Sequence, residues 1–410
     1  MGDSVTVHKA FKFKLNATPQ QEQQFRHYAG AVRWVYNHML AQRNVAFHSG
    51  LQVPTTHEQI KQLPGLKHQA ETAWLHTIHS QVLQNAVLDL EDAFRRFFNK
   101  QNRAPTFKKK HGQRQSFTYP QGVKVEGNRV WLPKLGWVAF RCSAKSKRYR
   151  EIVGSIKRAT ISHKASGWYI SILTEQQVEA PQLVPVTQAN SIGIDLGSID
   201  LVTTSRGEKI TNSRHYRALE RKLKRAQRAL SRKQRGSHNH RKQQQRVAAL
   251  HEQIVNRRMD GLHRISRRLV DENQAIMCED LNVRGIAKGL GKSVGDAAWG
   301  ELVRQLKYKT AWAGKRVVQV GRYFPSSKLC SACGHKHSEL ARSAREWRCP
   351  GCGAAHDRDV NAAINIHREG LKYVAAGLSE TQNACGQMVR PRQAKLAQRA
   401  RLGEASISRL

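Results

Sequence analysis

The chain has 410 residues, 39% of them hydrophobic, and carries 70 Lys and Arg against 30 Asp and Glu, a formal charge of +40. That length exceeds one ordinary core and predicts several domains. Self-repulsion at such a charge disfavours compaction unless a polyanion offsets it, which excludes a small acidic protein patch as the main partner and points to long phosphate backbones.

Val7 to Leu15 alternates apolar and polar residues and predicts a half-buried strand. Thr18-Pro19-Gln20-Gln21 predicts a helix start with Thr18 as N-cap and Gln21 closing a capping box. Phe25, Tyr28, Val32, Val35, Met39 and Leu40 make its apolar stripe. A second helix is expected from about Ser80 to Phe98, with Val82, Leu83, Ala86, Val87, Leu90, Phe94 and Phe97 inward. Its opposite face carries Ser80, Gln81, Gln84 and Asn85, amides of the kind that read adenine edges, although such residues are more often simply exposed. Lys108, Lys109 and Lys110, with His111 and Arg114, form a basic loop, ordinarily a solvated surface. In so cationic a chain they are candidate nucleic-acid contacts.

Short strands follow at 123–125, 129–132 and 137–140, then a hairpin of 157–163 and 168–174 turning at Ser166-Gly167. Residues 192–204 read as strand, glycine turn, strand. Two long helices are expected over 214–270, parted around 236–239. The first is crowded with Arg217, Arg221, Lys222, Lys224, Arg225, Arg228 and Arg232. With few carboxylates for pairing at i,i+4, these like charges would destabilise the helix unless phosphates lie along it. A strand at 275–278, a helix through Leu302, Leu306 and Trp312, and a strand at 317–320 complete the pattern. No run of 18 apolar residues and no N-terminal signal segment is visible, so no membrane partner is expected and the expected location is cytoplasmic.

Cys330, Cys333, Cys349 and Cys352 form C-x2-C-x15-C-x2-C, the spacing of a structural Zn2+ site with two knuckles, helped by Gly334, Pro350, Gly351 and Gly353. Cys142, Cys278 and Cys385 are isolated and expected to be reduced. Arg342, Arg345, Arg348 and Trp347, inside the cysteine span, are candidates to touch a nucleic-acid strand.

Three acids stand in contexts suited to phosphodiester hydrolysis, in which two divalent cations roughly 4 Å apart are brought together by carboxylates. Asp195 ends an apolar strand between Gly193 and Gly197, glycines that would let backbone or a phosphate approach closely. Glu279 ends another strand. In His356-Asp-Arg-Asp-Val-Asn361 both acids are candidates. Asp359, in the first turn of an evident helix, is favoured over Asp357, which could be the N-cap or a supporting group. Alone, each motif is ordinary, a strand-ending acid in a turn. Together they point to a nuclease.

These stretches, with Val35-Tyr-Asn-His38, Ser80-Gln-Val-Leu-Gln84, Leu132-Pro-Lys-Leu-Gly136, Phe324-Pro-Ser-Ser327 and Asn383-Ala-Cys-Gly386, resemble the TnpB family, transposon-encoded RNA-guided endonucleases related to type V CRISPR effectors. The resemblance runs from about residue 7 to the tail and shows no departure at the acids or the cysteines. It implies a multidomain α+β fold: an RNase H-like (RuvC) nuclease domain with a zinc-ribbon insertion, a β-barrel-like wedge domain, and an inserted helical recognition lobe. The implied boundaries are 1–16 and 104–185 for the wedge, 17–103 for the lobe, 186–325 and 354–376 for the nuclease, 326–353 for the ribbon, and 377–410 for a disordered tail. It further implies Asp195, Glu279 and Asp359 as ligands of Mg2+ (or Mn2+), a guide RNA, and a double-stranded DNA target cut by one copy of the chain. A short motif beside the target would be read by the protein, with Gln84 and its helix as candidates. An accessory DNA-binding factor or a guide-independent nuclease or transposase are the alternatives.

Overall fold

The computed structural model describes residues 4–110, 115–142, 151–182, 184–281, 297–341 and 343–377. His111, Arg114, Arg342, Cys385, the stretch 383–386 and the tail beyond 377 lie outside the described residues. The chain divides into two compact units, residues 6–178 and residues 179 onward with the first five.

In the first unit, strands β1 (Ser4–Asn16), β2 (Ser116–Tyr119), β3 (Lys124–Glu126), β4 (Arg129–Leu132), β5 (Gly136–Phe140), β6 (Ser155–Lys164) and β7 (Gly167–Glu179) form one sheet. Their order is β2-β6-β7-β1-β5-β4-β3. The chain therefore leaves the sheet after β1, builds helices, and returns to pair β5 with β1 at Leu15–Phe140.

Helix α1 (Pro19–His48) starts on the expected capping box: the Thr18 hydroxyl accepts from the Gln21 N–H, and the Gln21 side chain accepts from the Thr18 N–H. All six residues of its apolar stripe are buried. Helix α2 (Thr56–His68) opens on a second capping box, Thr55 with Glu58, and leads into a 3-10 turn over Ala70–Thr77. The sequence signals it weakly, since its buried residues are only Gln59, Leu63 and Leu66.

Helix α3 (Ser80–Phe98) has the expected bounds, but its burial ends at Leu90 and Phe97 is 39% exposed. The apolar period continues past the point where the helix has neighbours to cover it, so Phe97 is not a core residue. Helices and sheet share one core: the Phe25 ring lies 5.3 Å from Trp168 and the Tyr28 ring 5.2 Å from Phe117.

In the second unit, β8 (Ser191–Asp195), β9 (Asp200–Thr204), β10 (Lys209–Thr211), β11 (Ala275–Glu279) and β12 (Arg316–Val320) form a sheet of order β10-β9-β8-β11-β12. β8, β11 and β12 run parallel, and β9 pairs antiparallel with β8 on one side and β10 on the other. Buried on both faces, β8 and β11 read as continuous apolar runs.

Helices α4 (His215–Ser231) and α5 (His238–Glu272) fall where the sequence predicts, as do α6 (Trp299–Trp312) and α7 (Arg358–Ala375). α5 and α6 cover one face through Leu262, Leu269, Trp299, Leu302 and Leu306, packed on Ile192, Ile194, Ile276 and Cys278. α7 covers the other through Ile366, packed with Ala275 and Met277. Because side chains alternate along a strand, odd-numbered residues of β8 and β11 face α7. Among the described residues, no helix is long and apolar enough to cross a membrane.

Candidate active site

That alternation decides where the acids go. Gly193 faces α7 so closely that an added Cβ would lie 2.3 Å from the Ala363 carbonyl and 2.6 Å from the His367 Cβ. Gly370 returns the contact, its hypothetical Cβ meeting the Met277 side chain at 2.1 Å. Gly193 thus admits a helix backbone rather than a phosphate. Gly197 serves a turn, where a Cβ would strike the Asp200 carbonyl at 2.7 Å.

Two residues beyond Gly193 on the same face is Asp195. Two beyond Met277 is Glu279. The last paired residues of β8 and β11 are Ile194 and Cys278, so both carboxylates emerge from neighbouring strand ends. α7 begins there, with Asp359 in its first turn.

Burial pushes the Asp195 carboxyl up to about 7, helped by the negative charges of Glu279 and Asp359. Burial also raises Glu279, opposed by a hydrogen bond donated by the Ser326 hydroxyl. Asp359 faces the Arg345 guanidinium at 3.3 Å. Asp357 is committed elsewhere: one oxygen accepts from the N–H groups of Asp359 and Val360 as the N-cap of α7, and the other takes Lys209 at 2.6 Å.

Asp195, Glu279 and Asp359 offer carboxylate oxygens, but among the described residues their ligand atoms do not gather within 4.8 Å of one another as the cysteine sulfurs do, so what suits a hard divalent cation here is the donor chemistry. An oxygen donor set suits Mg2+ or Mn2+, and a cation would offset both the burial and, second to it, the negative neighbours that keep Asp195 protonated. In the metal-free chain, Asp195 stays protonated in the fold up to about 7, against about 3.9 when unfolded. Its contribution to stability is full below the unfolded value and is lost as pH rises through the folded one. Asp195→Asn is accordingly expected to match the parent at about pH 4 and to exceed it above pH 7 by on the order of 4 kcal/mol. Thermal melts in chelator across that range check this. A difference that does not grow with pH contradicts it.

The four cysteine sulfurs lie within 4.8 Å of one another, with Cys330–Cys352 at 3.7 Å and Cys333–Cys349 at 3.6 Å. A tetrahedron of ~2.3 Å Zn–S bonds has edges of ~3.8 Å, so these thiols fit Zn2+. Two matching turns present them. Gly334 N–H donates to the Cys330 carbonyl at 2.9 Å and Gly353 N–H to that of Cys349 at 2.8 Å. Both glycines have positive φ, 79° and 73°, which a side chain would strain. The strands flanking the second turn, β13 (Glu346–Arg348) and β14 (Ala355–Asp357), pair antiparallel, and β14 runs straight into α7.

Trp347 is buried, 7% exposed, in a small core with Cys330, Leu340 and Cys349. It fills the ribbon and offers no face to a nucleic-acid strand, contrary to the sequence expectation. Arg345 and Arg348 are exposed. Cys142 and Cys278 are free thiols, with burial pushing Cys278 up to about 12.

The remaining candidates divide between the two units. In the first unit, Ser80 accepts a hydrogen bond from Lys67 at 2.8 Å, and Gln81 and Gln84 are half-buried. Lys108 is held by reciprocal backbone bonds with Asn37, and its ammonium sits 3.6 Å from the Tyr36 ring centre; Lys109 is exposed. In the second unit, α4 buries Leu219, Leu223 and Ala226 and exposes Arg221, Lys224, Arg225 and Arg228. Lys224 pairs with Glu220 at 3.1 Å.

Sequence reasoning missed Ser326, Asn361 and Asn365. Both asparagines are buried on α7 and donate to the Leu329 carbonyl, at 2.7 and 2.6 Å. The available signal was their spacing of four on a helix that also carries Asp359.

Three family models match the chain. One described as "Probable transposase" covers residues 171–289, one described as "Cas12f1-like, TNB domain" covers 299–366, and one described as "Helix-turn-helix domain" covers 1–52. The last name does not describe the local structure, where β1 is followed by a single 30-residue helix with buried residues from Phe25 to Ala46.

A protein of Streptomyces pristinaespiralis described as "Putative RNA-guided DNA endonuclease" is 38% identical over 98% of this chain and 96% of its own. One from Escherichia coli K12, "Putative RNA-guided DNA endonuclease InsQ", is 37% identical over 90% and 94%. Among solved structures, a Cas12f1–sgRNA–target DNA complex shares the fold, with a TM-score of 0.54 at 14% identity over 85% of this chain and 83% of that one. End-to-end identity at this level, with the transposase and Cas12f1-like models falling on the acids and the cysteines, makes the chain a member of the TnpB family.

Proposed function

We propose that this protein is an RNA-guided DNA endonuclease. The observation that carries the reading is the convergence of Asp195 and Glu279 at adjacent parallel strand ends, on the face where α7 begins with Asp359. A five-stranded sheet in which β8, β10, β11 and β12 run one way and β9 the other, covered by helices on both sides, supports an RNase H-like (RuvC) domain. The cysteine ribbon inserted before α7 holds Zn2+ through Cys330, Cys333, Cys349 and Cys352. Residues 6–178 supply a β-barrel-like wedge and a helical recognition lobe, and Gln84 on α3 reads the motif beside the target.

Asp195, Glu279 and Asp359 hold Mg2+ or Mn2+. Such a cation supplies charge neutralisation at the scissile phosphate and a more acidic water. The residues do the rest. Asp195, the buried acid that feels the charges of both others, contributes one ligand. Glu279 is fixed by Ser326, and Asp359 is fixed by the first turn of α7, whose N-cap Asp357 also anchors Lys209. A site of this kind takes a single strand, so pairing with a guide must open the duplex.

α4 lays its outward cations along RNA phosphates. Changing Arg221, Arg225 and Arg228 to Gln is expected to flatten the dependence of log K on log salt by up to ~2, measured by filter binding of the copurified RNA. An unchanged slope would remove α4 from the interface.

The test of the function is co-expression with the flanking transposon-end DNA and sequencing of the RNA that copurifies. One defined species ending in a variable guide, required for cutting, is expected. Heterogeneous RNA stripped by high salt would sink the guided reading, and cutting that persists without RNA would favour a guide-independent enzyme.

A further inference from the structure

The acid site proposed above has a support that none of its three carboxylates provides. Ser326 is 5% exposed, and its hydroxyl donates to Oε1 of Glu279. Its own backbone is tied to α7: Asn365 Nδ2 donates to the Ser326 carbonyl at 2.8 Å and to the Leu329 carbonyl at 2.6 Å. One turn earlier, Asn361 donates to Leu329 at 2.7 Å and accepts from the Ser331 N–H at 2.9 Å. Arg368, further along the helix, donates to the Ser331 carbonyl.

α7 therefore carries Asp359 directly and reaches Glu279 through a loop pinned on both sides. That loop continues into Cys330, so the first cysteine knuckle starts from the same anchor.

We propose that Ser326 is a positioning residue, held by Asn361 and Asn365, which points Glu279 at the cation site. A glutamate has three side-chain torsions, and burial alone does not choose among its rotamers. With Oε1 engaged by Ser326, the carboxylate is oriented and Oε2 is left for the cation. Hydrogen-bond partners behind a metal ligand typically account for ~10–100-fold in affinity. The inference rests on the acid-site reading, and the test separates the two.

Mn2+ affinity of the full-length protein is measured by electron paramagnetic resonance for the parent, Ser326→Ala, Ser326→Thr and Asp195→Ala. Ser326→Ala is expected to bind ~10-fold more weakly with unchanged zinc content, and Ser326→Thr to recover most of the loss. Parent-like affinity in Ser326→Ala, while Asp195→Ala abolishes binding, overturns the inference and leaves the acid site standing. Binding that Asp195→Ala does not affect overturns both. A background substitution distinguishes positioning from loop support. In Glu279→Ala the further change Ser326→Ala should cost nothing, and an undiminished cost there also overturns the inference.

Discussion

Asp195→Ala is expected to reduce DNA cutting by ~1,000-fold or more, the equivalent of at least ~4 kcal/mol of transition-state stabilisation, while RNA binding is retained. Burial first, then the negative charges of Glu279 and Asp359, push the Asp195 carboxyl up to about 7. A divalent cation would offset both effects, so removing Asp195 takes away a carboxylate whose charged form depends on one. The fold tolerates the loss, because the strand that carries Asp195 is secured by pairing with β11 and β9 and by the seat of α7 on Gly193. The outward cations of α4 are untouched. Plasmid cleavage by the purified ribonucleoprotein, with gel-shift affinity for the same RNA, checks both halves. Cutting at the parent rate would refute the assignment of the site.

Cys349→Ser is expected to lower bound zinc from one per chain to a small fraction and to open the ribbon. Its own core is Cys330, Leu340, Trp347 and Cys349, with Ala344 against it. So few side chains cannot offset the ordering entropy of the segment, whereas structural zinc contributes ~10–16 kcal/mol in small domains. The effect should not stop at the ribbon. β14 passes directly into α7, and Arg358 N–H donates to the Arg345 carbonyl at 2.8 Å. Amide exchange should therefore quicken over residues 328–357 and at the first turn of α7, and cutting should fall, while the core around Phe25 and Trp168 keeps its protection. Full zinc content with unchanged exchange would contradict this account.

Local chemistry was legible in the sequence wherever it is repeated over several residues. The Thr18–Gln21 capping box, the bounds of α3 and the break between α4 and α5 all follow from caps, periods and breakers that act within a turn or two. α2 was not legible, because with a proline inside it and few buried positions its pattern is weak. Phe97 and Trp347 were misread for opposite reasons. The first belongs to a perfect stripe that outruns its neighbours, and the second is an aromatic among arginines whose ring is needed to fill a very small core.

By itself the sequence determined the inventory of this protein: its charge, its strands and helices, its four thiols at ligand spacing, and three acids at strand and helix ends. Which acids share a face was decided by tertiary structure. The parity of β8 and β11 relative to α7, enforced by Gly193 and Gly370, places Asp195 and Glu279 on the face that α7 covers, and the N-cap of α7 takes Asp357. That Ser326 and its two asparagines act together was likewise decided by tertiary structure, since their hydrogen bonds span more than thirty residues. Spacing along a chain encodes contacts within an element; contacts between elements depend on which face each one buries.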